Sequence, residues 1–248
     1  MIKIKFKTID STHKYALEMI NKNKAIECMI IANEQTDGVG RGERSWLSVK
    51  GNLFASLLLN TANYRFENFG HLSLLVACAV RDSISEYLND ESQLTLHWPN
   101  DVYYNSKKIS GILLAKLDNW VIVSVGLNIN SVPNLKTAIS LAELKNSGLM
   151  KGEVPSAYQL IDCFLSDFKD WISRFHDSGF SIIKEYWLHH TKEVGETITI
   201  KNGKEFLIGT FRDIDDCGRL VLDKGEKRFY VSTGDMFLNP KGIVKEYE

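Results

Sequence analysis

Charged and apolar side chains alternate from Ile2 to Phe6, which predicts a short strand. Asp10-Ser11-Thr12 supplies a helix start, and Tyr15, Leu17, Met19 and Ile20 give the following segment, His13 to Asn21, its apolar positions. Cys28 to Ala32 is an unbroken apolar run, the mark of a buried strand. A glycine- and charge-rich stretch, Asp37 to Lys50, separates it from a second apolar strand at Leu53–Leu59. Gly70 to Leu88 has the spacing and length of a core helix. Strands are then expected at Leu94–Trp98, Ile109–Lys116 and Trp120–Val125, the first two joined through a hairpin around Asn105-Ser106. Ser156 to His190 reads as helical throughout, with Phe164, Phe168, Trp171, Phe175 and Trp187 as its buried stripe.

After His190 the texture changes to short alternating segments divided by Gly, Asn and Asp turns, the pattern of a small antiparallel barrel. The expected organisation is therefore α+β, a mixed sheet with flanking helices over residues 1–190 and a small β unit over 191–248. No internal repeat or low-complexity tract interrupts it.

Composition narrows the function classes. The chain has 248 residues, 44% hydrophobic and 25% charged, ordinary for a globular protein that buries a core without staples. Thirty Lys+Arg stand against 31 Asp+Glu, which argues against general nucleic-acid binding built on many phosphate contacts. Cys28, Cys78, Cys163 and Cys217 are far apart and form no C-x-x-C pair, so a structural zinc site is not expected. No secretory apolar region opens the chain, and no apolar run approaches the ~18 residues of a membrane span. A soluble cytoplasmic protein with reduced thiols is expected.

Three segments carry candidate chemistry. In Gln35 to Trp46, glycines 38, 40 and 42 alternate beside Arg41 and Arg44, so backbone N–H groups and guanidinium charge could meet an anion. Neither a Walker loop nor a dinucleotide fingerprint is present, and on the glycines alone a charged surface loop is the simpler reading. In His97-Trp98-Pro99-Asn100-Asp101, a strand ends with Asp101 at the sheet rim, and a returning hairpin would bring Lys108 beside it. A plain turn with solvated lysines is the alternative. In Gly126-Leu127-Asn128-Ile129-Asn130, Asn128 can both donate to and accept from a nucleobase edge.

In this order, with Asp10-Ser11-Thr12-His13 ahead of them, the segments resemble the catalytic module of biotin–protein ligases. That family's patterns run roughly D-S-T-N, Q-T-x-G-R-G-R-x-x-R-x-W, K-W-P-N-D…K-x-x-G-I-L and G-x-N-x-N. The resemblance spans essentially the whole chain. It implies a class II synthetase-like biotin/lipoate ligase fold followed by a small SH3-like β-barrel. The implied reaction joins biotin to ATP, with Mg2+ escorting the triphosphate rather than held by the protein alone. Biotinyl-5′-AMP then passes its acyl group to a lysine of a biotin carboxyl carrier protein domain of a carboxylase, as in biotin–[acetyl-CoA-carboxylase] ligases.

Carried over residue by residue, the resemblance makes Asp101, Lys108 and Arg41 the catalytic set. Ser11, Thr12, His13, Gln35, Val39, Gly40, Arg41 and Lys108 become biotin contacts. Gly38, Gly40, Arg41, Arg44, Trp46, Lys108, Gly111 and Asn128 become ATP and adenylate contacts. Departures from the pattern are His13 for Asn, Val39 for Arg, Glu43 for Gly, His97 for Lys and Ala115 for Glu, with Asn239 where some relatives carry Arg. The Ser-Thr motif begins at residue 11, which leaves no room for the DNA-binding domain of some relatives, and no nucleic-acid or membrane partner is expected. A homodimer is expected only by analogy. Two rivals are a lipoate- or octanoate-attaching enzyme of the same fold and a biotin-binding module without catalysis.

Outside these segments, His189-His190 reads as a polar helix end, because adjacent helical residues share no face. Lys3, Lys5 and Lys7 read as a solvated edge that resists aggregation.

Overall fold

The computed structural model describes residues 1–42, 44–64, 68–132, 136–203 and 205–238. Glu43 and Asn239, two of the departures named above, lie outside them. Strands β1 (Ile2–Phe6), β2 (Cys28–Ala32), β3 (Leu53–Asn60), β4 (Leu94–His97), β5 (Asp101–Tyr104), β6 (Lys107–Leu117) and β7 (Trp120–Leu127) form one sheet in the order β1-β2-β3-β7-β6-β5-β4. Only the β1–β2 pair is parallel.

The alternation of side chains explains the layers. Ile30, Leu58 and Ile122 face Ala16 and Ile20 of helix α1 (Thr12–Asn21) on one side of the sheet. Met29, Ile31, Leu57, Leu59, Val121 and Val123 point the other way. There they join helices α2 (Phe69–Ser85), α4 (Ala157–Ser178) and α5 (Phe180–His189) in the main core. A sheet covered on both faces needs strands apolar on both faces, and β3 reads LFASLLLN. A short helix α3 (Leu141–Asn146), closed by a Ser140–Glu143 capping box, precedes α4.

The long helical stretch is two helices, because Gly179 adopts φ 73° and turns the chain between them. The expected hairpin forms at Asn105 (φ 47°) and Ser106 (φ 63°), the paired positive φ values that match the twist of β5 and β6.

Strands β8 (Thr197–Asn202), β9 (Glu205–Ile214), β10 (Leu220–Lys224), β11 (Lys227–Val231) and β12 (Asp235–Leu238) build a separate antiparallel sheet in the order β11-β10-β9-β8-β12. It is tied to the first unit by polar contacts. Trp98 Nε1 donates to the Gly218 carbonyl at 3.3 Å, and Lys184 pairs with Asp213 at 2.7 Å. His97 reaches the Met236 carbonyl with Nε2 and the Glu193 carboxylate with Nδ1, both at 3.1 Å. Burial alone would push the Glu193 carboxyl up, but the hydrogen bonds from His97 and Thr191 outweigh it and hold it below the usual range.

Lys3 and Lys5 stay exposed on the β1 edge, where Lys3 pairs with Asp162 and Lys5 lies over the Tyr158 ring. His189 and His190 close α5, their rings edge-on at 4.8 Å and the His190 ring tilted by 55° against that of Tyr186. Among the described residues no three His, Cys, Asp or Glu side chains converge as metal ligands. All four cysteines are free, and no described helix is long and apolar enough to cross a membrane.

Candidate active site

Two adjoining cavities open where α1, the 35–48 segment and strands β5 to β7 converge. The inner one, about 60 Å³, is walled by Ser11, Thr12, His13, Gln35, Val39 and Ser124 among others. The outer one, about 280 Å³, has Arg44, Tyr103, Asn128, Thr137 and Asp235 in its wall. Gly40, Arg41, Trp46, Asn100, Asp101 and Lys108 line both.

A polar chain crosses the inner cavity. Ser11 caps α1, and Thr12 donates to Gln35 Oε1 from both its backbone N–H (2.8 Å) and its hydroxyl (3.1 Å). Ser56 Oγ lies 2.8 Å from Thr12 Oγ1 and 2.8 Å from Ser124 Oγ, and His13 Nδ1 lies 2.8 Å from Ser124 Oγ. Ser56 and Ser124 are direct partners across β3 and β7. Burial lowers the His13 pKa to about 4, so the imidazole is neutral near pH 7.

The 35–48 segment folds on itself. Trp46 N–H donates to the Gly38 carbonyl at 2.9 Å, and Gly40 N–H donates to the Arg44 carbonyl at 2.8 Å. A Cβ at Gly38 would sit 2.5 Å from the Trp46 carbonyl oxygen, so glycine is needed there for the turn itself. The expectation of free glycine N–H groups therefore fails at Gly40, whose donor is spent inside the turn.

This turn lays the Trp46 indole on a flat patch made by Gly111 and Gly126, cross-strand partners on β6 and β7. A Cβ at Gly111 would come within 2.8 Å of the ring and 2.9 Å of the Lys108 side chain. Gly111 thus makes room for Trp46 and Lys108, and it lines the inner cavity. The buried Trp46 Nε1 has no hydrogen-bond partner among the described residues.

Charge gathers where the cavities meet. The β5–β6 hairpin returns as expected, and Lys108 Nζ lies 2.7 Å from Asp101 Oδ2 and 5.5 Å from the Trp46 ring centre. A register shift between Val102 and Tyr103 sets that pairing. Asp101 Oδ1 is buried with no partner among the described residues, an acceptor left over at the junction of the cavities.

Arg41 donates to Asn100 Oδ1 at 3.3 Å and to Asp235 Oδ1 and the Gly234 carbonyl at 2.5 Å each. Arg44 reaches the same Asp235 oxygen at 2.8 Å. Burial pushes the Asp235 carboxyl up, but the hydrogen bond and charge of Arg41, with Arg44 behind it, hold it below the ordinary range. Burial and the charges of Asp101, Glu193 and Asp235 push the Tyr103 phenol well up, so it remains a neutral donor in the outer wall. Asn128 is buried, with its Nδ2 3.4 Å from the Lys108 carbonyl.

The site residues carried over from the family resemblance line these cavities except Gly38, which acts inside the turn, and Gly42 of the same segment lines neither cavity. Val39, standing where a cation is usual, makes one wall of the inner cavity apolar. Sequence reasoning missed Ser56, Ser124, Asn100, Tyr103 and Asp235. A signal existed for the first two, since each is a lone hydroxyl in an otherwise apolar strand. No local pattern could bring Asp235 to Arg41, 194 residues away.

Residues 5–130 match the Biotin/lipoate A/B protein ligase family, and residues 194–239 match the Biotin protein ligase C terminal domain. The chain is 31% identical to a Bifunctional ligase/repressor BirA of Bacillus subtilis, over 90% of this chain and 70% of that protein. It is 28% identical to a Biotin--[acetyl-CoA-carboxylase] ligase of Paracoccus denitrificans, over 92% and 97%. Among solved structures, a biotin protein ligase from Aquifex aeolicus in complex with biotin and ATP superimposes with a TM-score of 0.81 and 26% identity, covering 96% of this chain and 98% of that one. With its sheet, its second β unit and its paired cavities, the chain belongs to the Biotin/lipoate A/B protein ligase family.

Proposed function

We propose that this protein activates biotin with ATP and transfers the biotinyl group to a lysine of a biotin carboxyl carrier protein domain. One observation carries the reading: a cavity walled by the hydrogen-bonding side chains of Ser11, Thr12, Gln35 and Ser124 and a second cavity that adds Arg44, Asn128 and Asp235 share a wall that contains Arg41, Asp101 and Lys108. Two ligands, one in each, would meet at that wall. The names of the relatives and of the Aquifex aeolicus complex with biotin and ATP support the same assignment.

In this reading the inner cavity takes the ureido ring through Ser11, Thr12, His13 and Gln35, with Val39 and Gly40 beside it. The outer cavity takes the nucleotide, with Asn128 offering an amide to the base and Arg44 and Trp46 beside the phosphates. A biotin carboxylate oxygen attacks the α-phosphorus, the bond to the β-phosphate bridging oxygen breaks, and pyrophosphate leaves. Two anions must approach for this step, and Lys108 and Arg41 supply the screening charge at a site partly shielded from water.

The incoming lysine amine then attacks the acyl carbon and AMP departs. Asp101, whose Oδ1 is unpaired, is the acceptor for the proton that the amine sheds. Magnesium would enter on the triphosphate oxygens, which suit it, with Asp101 and Asp235 as the carboxylates in that cavity's wall. Residues 1–190 form the catalytic unit of this proposal and 191–248 the smaller unit that contributes Asp235, and the setting is the cytoplasm.

The test is ATP-dependent pyrophosphate release by the purified protein, with biotin and with lipoate in parallel. Release with biotin alone is expected. Release with lipoate alone moves the assignment to lipoate attachment, and silence with both from folded protein makes the chain a binding module.

A further inference from the structure

The polar chain across the inner cavity has a direction, and it can be read from one end. It starts at a donor with no freedom, the Thr12 backbone N–H, 2.8 Å from Gln35 Oε1. That atom is therefore the amide oxygen, which only accepts. The Thr12 hydroxyl, 3.1 Å from the same oxygen, must spend its single proton there. Ser56, 2.8 Å from Thr12 Oγ1, then donates to it and has no proton left for Ser124. Ser124, 2.8 Å from Ser56 Oγ, donates in turn and has none left for His13. His13 Nδ1, 2.8 Å from Ser124 Oγ, can only be the donor.

The His13 ring is neutral, so it has one proton, and the chain fixes that proton on Nδ1. Nε2 is a bare lone pair. It has no partner among the described residues, and it belongs to a side chain that lines the cavity.

We infer that His13 Nε2 is a fixed acceptor for a ligand N–H, and that the inner cavity selects a cyclic urea through that N–H. The inference rests on the biotin reading above and deepens it. An asparagine, the residue the related pattern has here, could turn either its oxygen or its NH2 toward the ligand. The imidazole, with its tautomer set four hydrogen bonds away at Gln35, offers a lone pair only. A dithiolane ring such as that of lipoate has no N–H to give it. A site built around a hydrogen bond rejects analogues that lack the group, because its own polar atom is then left unpaired.

Long-range 1H–15N spectra of the histidine rings test the first half. In the free protein His13 should show a protonated Nδ1 and a bare Nε2, and the Nε2 resonance should move on adding biotin and stay put with lipoate. An Nε2–H tautomer, or an Nε2 resonance that ignores bound biotin, overturns the inference. Binding measurements test the second half. Methylating the ureido nitrogens should weaken binding to the wild-type protein by roughly tenfold to a hundredfold. In His13→Ala that methylation penalty should vanish, and an equal penalty in both proteins refutes the acceptor role. Failure of the biotin reading looks different. Biotin would then neither bind nor release pyrophosphate from ATP, and the acceptor role would fall with it although the tautomer stood.

Discussion

Substituting Gly126 by alanine tests whether the Trp46 indole rests on the glycine patch and whether the reaction depends on it. The new Cβ would sit 2.5 Å from Trp46 Cε2, 2.7 Å from Cζ2 and 2.8 Å from Nε1. Carbon contacts are most favourable near 3.5–4.0 Å, so the ring must retreat by about 1 Å. The indole lies flat across Gly126 and its cross-strand partner Gly111, where a side chain would likewise meet the ring at 2.8 Å. The ring must lift off the sheet, into the space that both cavities share. A displacement of that size at a reacting centre costs on the order of a hundredfold in rate. The backbone change itself costs about 1–3 kcal/mol of stability at most, as overpacking does.

The assay is kcat/KM for biotin- and ATP-dependent pyrophosphate release, with the unfolding midpoint measured on the same samples. Gly126→Ala should lose about two orders of magnitude in kcat/KM. Adding Gly126→Ala to Trp46→Ala should cost almost nothing further, since the clash is gone. Full activity in Gly126→Ala, or two independent losses that multiply in the double variant, would refute the stacking argument.

Two further outcomes are expected. Lys108→Ala should lower adenylate formation by at least a hundredfold while the unfolding midpoint moves only a few degrees; a large loss of cooperative unfolding with activity retained would reverse that assignment. Stability should also fall in acid in two stages. His13, with its pKa lowered from 6.5 to about 4, contributes stability that is present above pH 6.5 and lost as pH falls toward 4. Asp235 and Glu193, held below their ordinary values, add a second loss below about pH 4. Urea midpoints across pH 7.5 to about 2.5 read both stages. His13→Asn should flatten the first by up to about 1.4 kcal/mol per pH unit, and an unchanged slope would contradict the buried neutral imidazole.

Much of the site was legible because its parts are local. Asp101 and Lys108 are joined by a hairpin whose turn residues, Asn105 and Ser106, announce it, so their meeting at 2.7 Å followed from seven residues of chain. The Ser11 cap and the helix behind it are likewise neighbours in sequence. The glycines of the 35–48 segment were legible as a turn, but not what that turn does. Gly40 spends its N–H internally, and Gly38 yields to the Trp46 carbonyl oxygen.

Alternation and run length alone determined the strands, the amphipathic helices and the change to an all-β texture near residue 190, because burial imposes those periods on any chain. The motifs, and the family resemblance they carry together, marked which segments hold the chemistry. Which partners those residues meet was decided by the tertiary structure. The sheet order sets β7 beside β3, and only that pairing joins Ser56 to Ser124 and links Gln35 to His13. Packing of the second β unit brings Asp235 to Arg41 and Arg44, and Glu193 and the Met236 carbonyl to His97. A hydrogen bond or an ion pair depends on distances of a few ångströms between residues far apart in the chain. Sequence periodicity has no information at that range, and only the folded backbone supplies it.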